Sequence, residues 1–259
     1  MTFQLNRFAA GAAVAAALAA GGAAAVGPSA AEARAPIDMA LSYQLSVTGL
    51  VIGALDVTLK VDEANYEGAL NAQTSGLAGW FAQAKAESNG AGAVDAAGKV
   101  TPATFNVRTD TGKKTLNVTM DFEGDAPKTV TAEPPYQPRH YEVDPTTQSG
   151  ALDPIGAMVA AVTSVSADGG CNRVIPVFDG RRRFDVVLGA PTETGELNGK
   201  PFVQCPAAVK RVAGYKEKAM AKPDLTFQAR FSTDDGEITL PLQAWADLPV
   251  GYVALTLVN

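Results

Sequence analysis

A single histidine and two cysteines in 259 residues leave almost nothing from which to assemble a nucleophilic triad or a transition-metal centre. His140 lies in Gln137-Pro138-Arg139-His140-Tyr141, a stretch that reads as loop, where an imidazole is solvated or bonded to a nearby carbonyl. Zinc needs several nitrogen or sulfur ligands, and a paired set of cysteines supplies none. Asp234-Asp235-Gly236 lacks the spacing of a calcium loop. No cofactor-binding motif occurs, so no catalytic residue, metal or cofactor is assigned. Positive charge is also short. The formal net charge of −6 argues against nucleic acid and against electrostatic docking of the chain on anionic lipid. Beyond the N-terminus no apolar run approaches the length that spans a membrane.

What is present begins with an export signal. Arg7 is followed by an uncharged stretch from Phe8 to Ala31, rich in Ala, Val and Leu and broken at Gly21-Gly22. The stretch passes Pro28-Ser29 and then offers Ala31-Glu32-Ala33, a small-x-small cleavage frame, with Ala33-Arg34-Ala35 as a second. Cleavage is expected after Ala33, because the second frame would leave Pro36 at the first mature position. The stretch is also long enough to serve as an uncleaved anchor, but Ala and Gly are weakly apolar. Residues 1–33 are therefore expected to be a signal peptide and 34–259 a single β-rich domain with no membrane span after processing. No cysteine lies near the cut, so a diacylated lipoprotein is not expected. In an exported protein the even pair Cys171 and Cys205 reads as a disulfide. A reactive pair would need a closer spacing or a basic neighbour.

From Leu41 to Val61 every odd position is apolar, aromatic or Gly, and most even positions are polar. A period of two is one face of β-structure, and Gly49 and Gly53 mark a turn or sharp bend. The pattern describes two long antiparallel strands, or one strand folded hard at those glycines. It returns at Leu116–Phe122, Phe184–Leu188, Leu225–Phe231 and Val253–Leu257. Turn signals fall at Asp110–Lys113, Asp179-Gly180 and Asp235-Gly236. Strands in hairpin order with one apolar face make an antiparallel sheet that must curl or pair to bury it. One helix interrupts them. Asp153-Pro154 is a start signal, and Ile155, Met158, Val159, Val162 and Val165 follow at helical spacing. That stripe is expected to pack on, or plug, the concave side. Residues 133–153 read as a long loop, and residues 213–223 leave room for a helical turn.

Several segments together resemble a bacterial family of exported domains of unknown function, number 3108. They are Tyr43–Leu55 (YQLSVTGLVIGAL), Ser75–Trp80, Pro102 with Phe105, the Asp153-Pro154 helix start, and Val177–Asp185. The last is the most specific, an Asp-Gly followed by three arginines and an aromatic-Asp pair. The resemblance implies an all-β fold, a strongly curved antiparallel sheet that is a spiral or open barrel with one helix packed in or on it. It also implies the periplasm of a Gram-negative cell envelope, and it carries no assigned reaction.

The arginine run is the most distinctive charge feature of an acidic chain. On a strand after the Asp179-Gly180 turn, Arg181 and Arg183 would share a face with Asp185, and Arg182 would join Phe184. Arginine holds carboxylate or phosphate through paired hydrogen bonds, although a cross-strand ion pair uses the same residues. Arg182, on the apolar side, would need a buried partner such as Asp153. Trp80 with Phe81 could stack on a ligand or close a core. Candidate binding residues are thus Asp153, Asp179, Arg181, Arg182, Arg183 and Trp80. The function they suggest is a periplasmic protein whose concave apolar surface binds a lipid, lipoprotein or envelope partner and supports envelope integrity. The alternative is an envelope hydrolase of peptidoglycan or glycan using carboxylates such as Asp179, Asp185 or Glu237.

Overall fold

The computed structural model describes residues 36–76, 83–163, 170–233 and 239–258. The expected signal peptide, Trp80 and Phe81, the Asp235-Gly236 turn with Asp234 and Glu237, and Val165 lie outside the described residues. One antiparallel sheet contains fourteen strands. They are β1 (Ile37–Val47), β2 (Leu50–Val61), β3 (Asn65–Thr74), β4 (Lys85–Val94), β5 (Val100–Asp110), β6 (Thr115–Glu123), β7 (Ala126–Glu133), β8 (Arg173–Phe178), β9 (Arg183–Leu188), β10 (Glu193–Leu197), β11 (Lys200–Ala213), β12 (Leu225–Ser232), β13 (Pro241–Leu248) and β14 (Gly251–Leu257). Their order is β7-β6-β5-β4-β3-β2-β1-β14-β13-β12-β11-β9-β8, with β10 on the edge of β11. The first and last strands therefore pair far from the termini of the order, and the sheet stays open between β7 and β8.

The Leu41–Val61 pattern is two strands. Thr48 and Gly49 form the turn with φ of 49° and 82°, the handedness that matches the twist of a tight hairpin. Gly53 lies inside β2, next to a register shift at Leu45/Ser46. From Ile37 to Leu45 and from Gly53 to Val61 the odd positions of β1 and β2 face inward, and Tyr66, Phe105, Val118 and Met120 extend this face as the main core; beyond the register shift Val51 is exposed. A second core around Cys171, Cys205, Val203 and Phe231 serves β9, β11 and β12.

Helix α1 (Pro154–Thr163) lies against β3, β4, β5 and β8. It seats closely because the strands beneath it carry glycine. A Cβ on Gly68 would come within 2.6 Å of Ile155 Cγ2 and 2.7 Å of Leu59 Cδ2, and one on Gly90 within 2.9 Å of Ile155 Cβ. Ile155 is fully buried in that niche. Gly68→Ala is therefore expected to lower unfolding free energy by about 1–3 kcal/mol, the usual cost of overpacking, read by denaturant titration. An unchanged midpoint would mean that the helix sits more loosely than described.

Residues 134–153 run from one edge of the sheet to the other. They include a 3₁₀ turn at Pro145–Thr147. Gly150 donates its N–H to the Asp125 carbonyl beside β7 (2.8 Å), and Leu152 N–H donates to the Pro176 carbonyl in β8 (2.9 Å). The β8–β9 turn also reaches across. A Cβ on Gly180 would lie 2.9 Å from Val118 Cγ1 and 3.3 Å from Met120 Sδ, both on β6. A short helix α2 (Glu217–Met220) fills the turn expected in residues 213–223. Cys171 and Cys205 form a disulfide that ties the start of β8 to β11. Among the described residues no helix is long and apolar enough to cross a membrane.

Candidate functional site

Two cross-strand rows of the inner face continue past α1 to the end of the sheet where β1 turns into β2. One row is Leu257, Tyr43, Leu55, Ala72, Ala86 and Thr109; the next is Leu255, Leu45, Gly53 and Thr74. Gly53, Ala72 and Ala86 are too small to fill the space that the curvature encloses, and α1 is seated toward the other end. A cavity of about 580 Å³ remains, a size typical of small-molecule sites. Its lining is mostly apolar, from Leu45, Ile52, Leu55, Ala72, Ala86 and Leu255, with polar side chains from Gln73, Thr74, Lys85, Thr109, Asp110 and Thr111. Tyr43, between Leu257 and Leu55 in its row, donates its hydroxyl to the Pro241 carbonyl at 2.9 Å. Burial pushes that phenol up to about 12, so it stays neutral.

Two turns at this mouth are apolar. Leu50 and Val51 at the β1–β2 turn are 51% and 37% exposed, and Val250 and Tyr252 at the β13–β14 turn are 70% and 41% exposed. The two turns are joined, with Thr48 N–H donating to the Tyr252 carbonyl at 2.6 Å. Ser75 N–H, leaving β3, donates to the Ile52 carbonyl at 2.9 Å.

A polar pair is buried under the first turn of α1. Asp153 is fully buried, and its Oδ1 accepts from the N–H groups of Ile155 (2.8 Å) and Gly156 (3.1 Å), as a helix N-cap does. Tyr66 donates its hydroxyl to Oδ2 at 3.4 Å. Burial outweighs these hydrogen bonds and raises the carboxyl to about 6. Burial and the neighbouring carboxylate also push the Tyr66 phenol upward.

The arginine run does not reach Asp153. Its turn spans Asp179–Arg182, with Asp179 N–H donating to the Arg182 carbonyl (3.1 Å), and β9 starts only at Arg183. Arg182 therefore never enters the strand alternation. It is exposed, 5.6 Å from the Tyr215 ring. Asp179 Oδ1 accepts from the backbone N–H groups of Arg181 (2.9 Å) and Arg182 (2.7 Å). Arg181 lies 4.1 Å over the Tyr136 ring and pairs with Glu142 at 3.4 Å. Arg183 pairs with Asp185 at 3.1 Å. Turn, arginine and tyrosine together clasp the two edges of the sheet. The carboxylates of Asp179 and Asp185 are each engaged locally, and Glu237 lies outside the described residues, as does Trp80. His140 is exposed and edge-on to Tyr141.

The cavity residues are the ones that composition hides. Leu45 and Leu55 stand in the visible alternation, but the small residues opposite them look like weak strand positions. The signal was there in negative form: Gly and Ala at inward positions of β2, β3 and β4. A second hidden feature is Arg230, held between the Phe202 and Trp245 rings (4.5 and 4.8 Å) and bonded through Nε to Gln204 (2.9 Å).

A family model described as "Protein of unknown function (DUF3108)" matches residues 42–258. Among solved structures, a beta-barrel-like protein of the domain of unknown function DUF1849 from Brucella abortus superposes with a TM-score of 0.46 at 14% identity, over 86% of this chain and 96% of that one. No curated protein matches the sequence.

Proposed function

The chain belongs to the DUF3108 family of proteins of unknown function, and we propose that it is an exported periplasmic protein that holds the apolar chain of a lipid or lipid-modified protein. In this reading it supports envelope integrity as a binding protein, not through a reaction of its own. The observation that carries the proposal is the mostly apolar cavity of about 580 Å³ lined by Leu45, Ile52, Leu55, Ala72, Ala86 and Leu255. An alkyl chain gains from entering such a space, while its headgroup can remain at the rim near Lys85 and Thr111. The disulfide and the leader-like N-terminus support an oxidising compartment outside the cytoplasm.

The test is displacement of a lipophilic fluorescent probe by alkyl carboxylates of increasing length. Each buried methylene contributes about 0.8 kcal/mol, so affinity is expected to rise about fourfold per methylene until the cavity is full, then level off. Ala72→Phe projects a ring into the cavity and is expected to lower probe affinity at least tenfold while leaving the fold intact. Affinity independent of chain length, or unchanged in Ala72→Phe, would sink the reading. Native mass spectrometry of protein taken from cells should find the adduct.

A further inference from the structure

We propose that the end of the sheet around the cavity mouth docks on an anionic bilayer surface, with Leu50, Val51, Val250 and Tyr252 entering the interface and Lys113 and Lys114 meeting lipid headgroups. The proposal rests on the cavity reading for its purpose, which is exchange of an apolar chain with a membrane, but not for its physics.

Charge is distributed unevenly between the two ends of the sheet. At the far end the β2–β3 turn carries Asp62 and Glu63, the β4–β5 turn carries Asp95 with Lys99, and the β6–β7 turn carries Asp125. At the mouth, residues 46–55 and 248–258 contain no charged side chain. At the same end the β5–β6 turn has the exposed Lys113 and Lys114 at its apex. It borders the cavity through Thr111 and closes with Thr111 N–H donating to the Lys114 carbonyl at 3.1 Å. Asp110 and Glu87 lie back along β5 and β4, with Glu87 paired to Lys85 at 3.4 Å, and the exposed Asp247 is level with Tyr252 across the β13–β14 hairpin. The net charge of −6 opposes docking of the surface as a whole. Its distribution turns the acidic end away from an anionic surface and the apolar, lysine-tipped end toward it.

The size of the apolar patch also selects the partner. Four side chains with the exposures given above offer on the order of 400 Å² of surface. A specific protein interface takes about 800 Å² from each partner, so the patch is too small to hold a second copy. Side chains at turn tips can instead enter the headgroup boundary individually, as interfacial anchors do. Leu50 and Val250 project at turns rather than from the core, so their replacement leaves the core contacts in place.

The test uses protein purified in the form that cells accumulate, its N-terminus read by mass, in flotation with vesicles of phosphatidylcholine with and without phosphatidylglycerol. Wild type is expected to float with the phosphatidylglycerol vesicles. Leu50→Asp combined with Val250→Asp is expected to reduce partitioning at least tenfold. Lys113→Gln and Lys114→Gln are each expected to lose about fivefold, from about 1 kcal/mol per basic residue, on the anionic vesicles only. Melting curves verify that the variants fold. Equal flotation of wild type and the tip variant, or a change from dimer to monomer in that variant, overturns the proposal. Probe binding without tip-dependent flotation overturns the docking and leaves the cavity reading standing. Tip-dependent flotation without probe binding does the reverse.

Discussion

Breaking the Cys171–Cys205 disulfide is expected to lower the melting temperature by roughly 8–16 °C. The bridge closes a sequence separation of 34 residues with its Cα atoms 5.9 Å apart. A loop of that size restrains the unfolded chain by roughly 4 kcal/mol, and a domain of this length shifts by about 2–4 °C per kcal/mol. The folded side matters too, because Cys171 precedes β8, the terminal strand of the sheet, and Cys205 sits in the middle of β11. Without the bridge, β8 is held by one full strand neighbour, the short parallel contact of Leu152 with Val177 and its packing against α1. Cys171 and Cys205 are 3% and 0% exposed, so reductant must act on unfolded protein that is then refolded. The Cys171→Ala/Cys205→Ala protein should melt near the reduced wild type and be indifferent to reductant. Cys205→Ser should fall further, since a hydroxyl buried without a partner costs about 1–3 kcal/mol more. Identical melting of oxidised and reduced wild type would end the idea that the bridge is a staple.

The parts of the fold that were legible in the sequence are those where one face meets the core and the other meets water. β1, β2, β6, β9, β12 and β14 alternate because their inward residues are bulky. β3 and β4 do not, since the helix approaches them so closely that Gly68 and Gly90 replace large side chains, and beyond the helix Ala72 and Ala86 line the open cavity; a tertiary arrangement there erases the local signal. β11 was hidden by Pro206, which ordinarily argues against a central strand. Its neighbours explain why it is tolerated. On one side β10 pairs as far as Gln204, and β9 begins pairing at Ala207. Cys205 and Pro206 therefore fall in the gap between β10 and β9, where no strand on that side asks Pro206 for an N–H.

The candidate site was legible in class but not in place. A concave apolar surface followed from amphipathic strands and one helix, whereas the open part of it depends on where α1 stops, a property of the three-dimensional packing. Charge drew attention to the arginine run, and the structure spends Arg181 and Arg183 on Tyr136, Glu142 and Asp185 in holding the sheet edges together. The pairing suggested between Arg182 and Asp153 failed because the turn consumed one residue more than a strand reading allowed. Asp153 was correctly marked as a helix start, and nothing in the chain indicated that the cap would be buried against Tyr66.

That burial leads to the second large effect, a loss of stability as pH rises from about 4 to about 6. The Asp153 carboxyl titrates at about 6 in the folded protein against an ordinary 3.8. Between those values the folded state keeps a proton that the unfolded chain has released, so raising the pH weakens folding. At 1.36 kcal/mol per unit, the contribution is about 3 kcal/mol, absent below the unfolded value and complete above the folded one. The side chain is 0% exposed, so solvent does little to screen it. Asparagine caps helices as well as aspartate, presents the same oxygen to Ile155 and Gly156, and carries no charge into the core. Asp153→Asn is therefore expected to match wild type at pH 4 and to exceed it by about 1–3 kcal/mol at pH 7. Denaturant titrations of both proteins across that range test this directly, because every other carboxylate cancels in the difference. Parallel stability curves would mean that Asp153 is ionised at little cost, with water reaching it beneath α1.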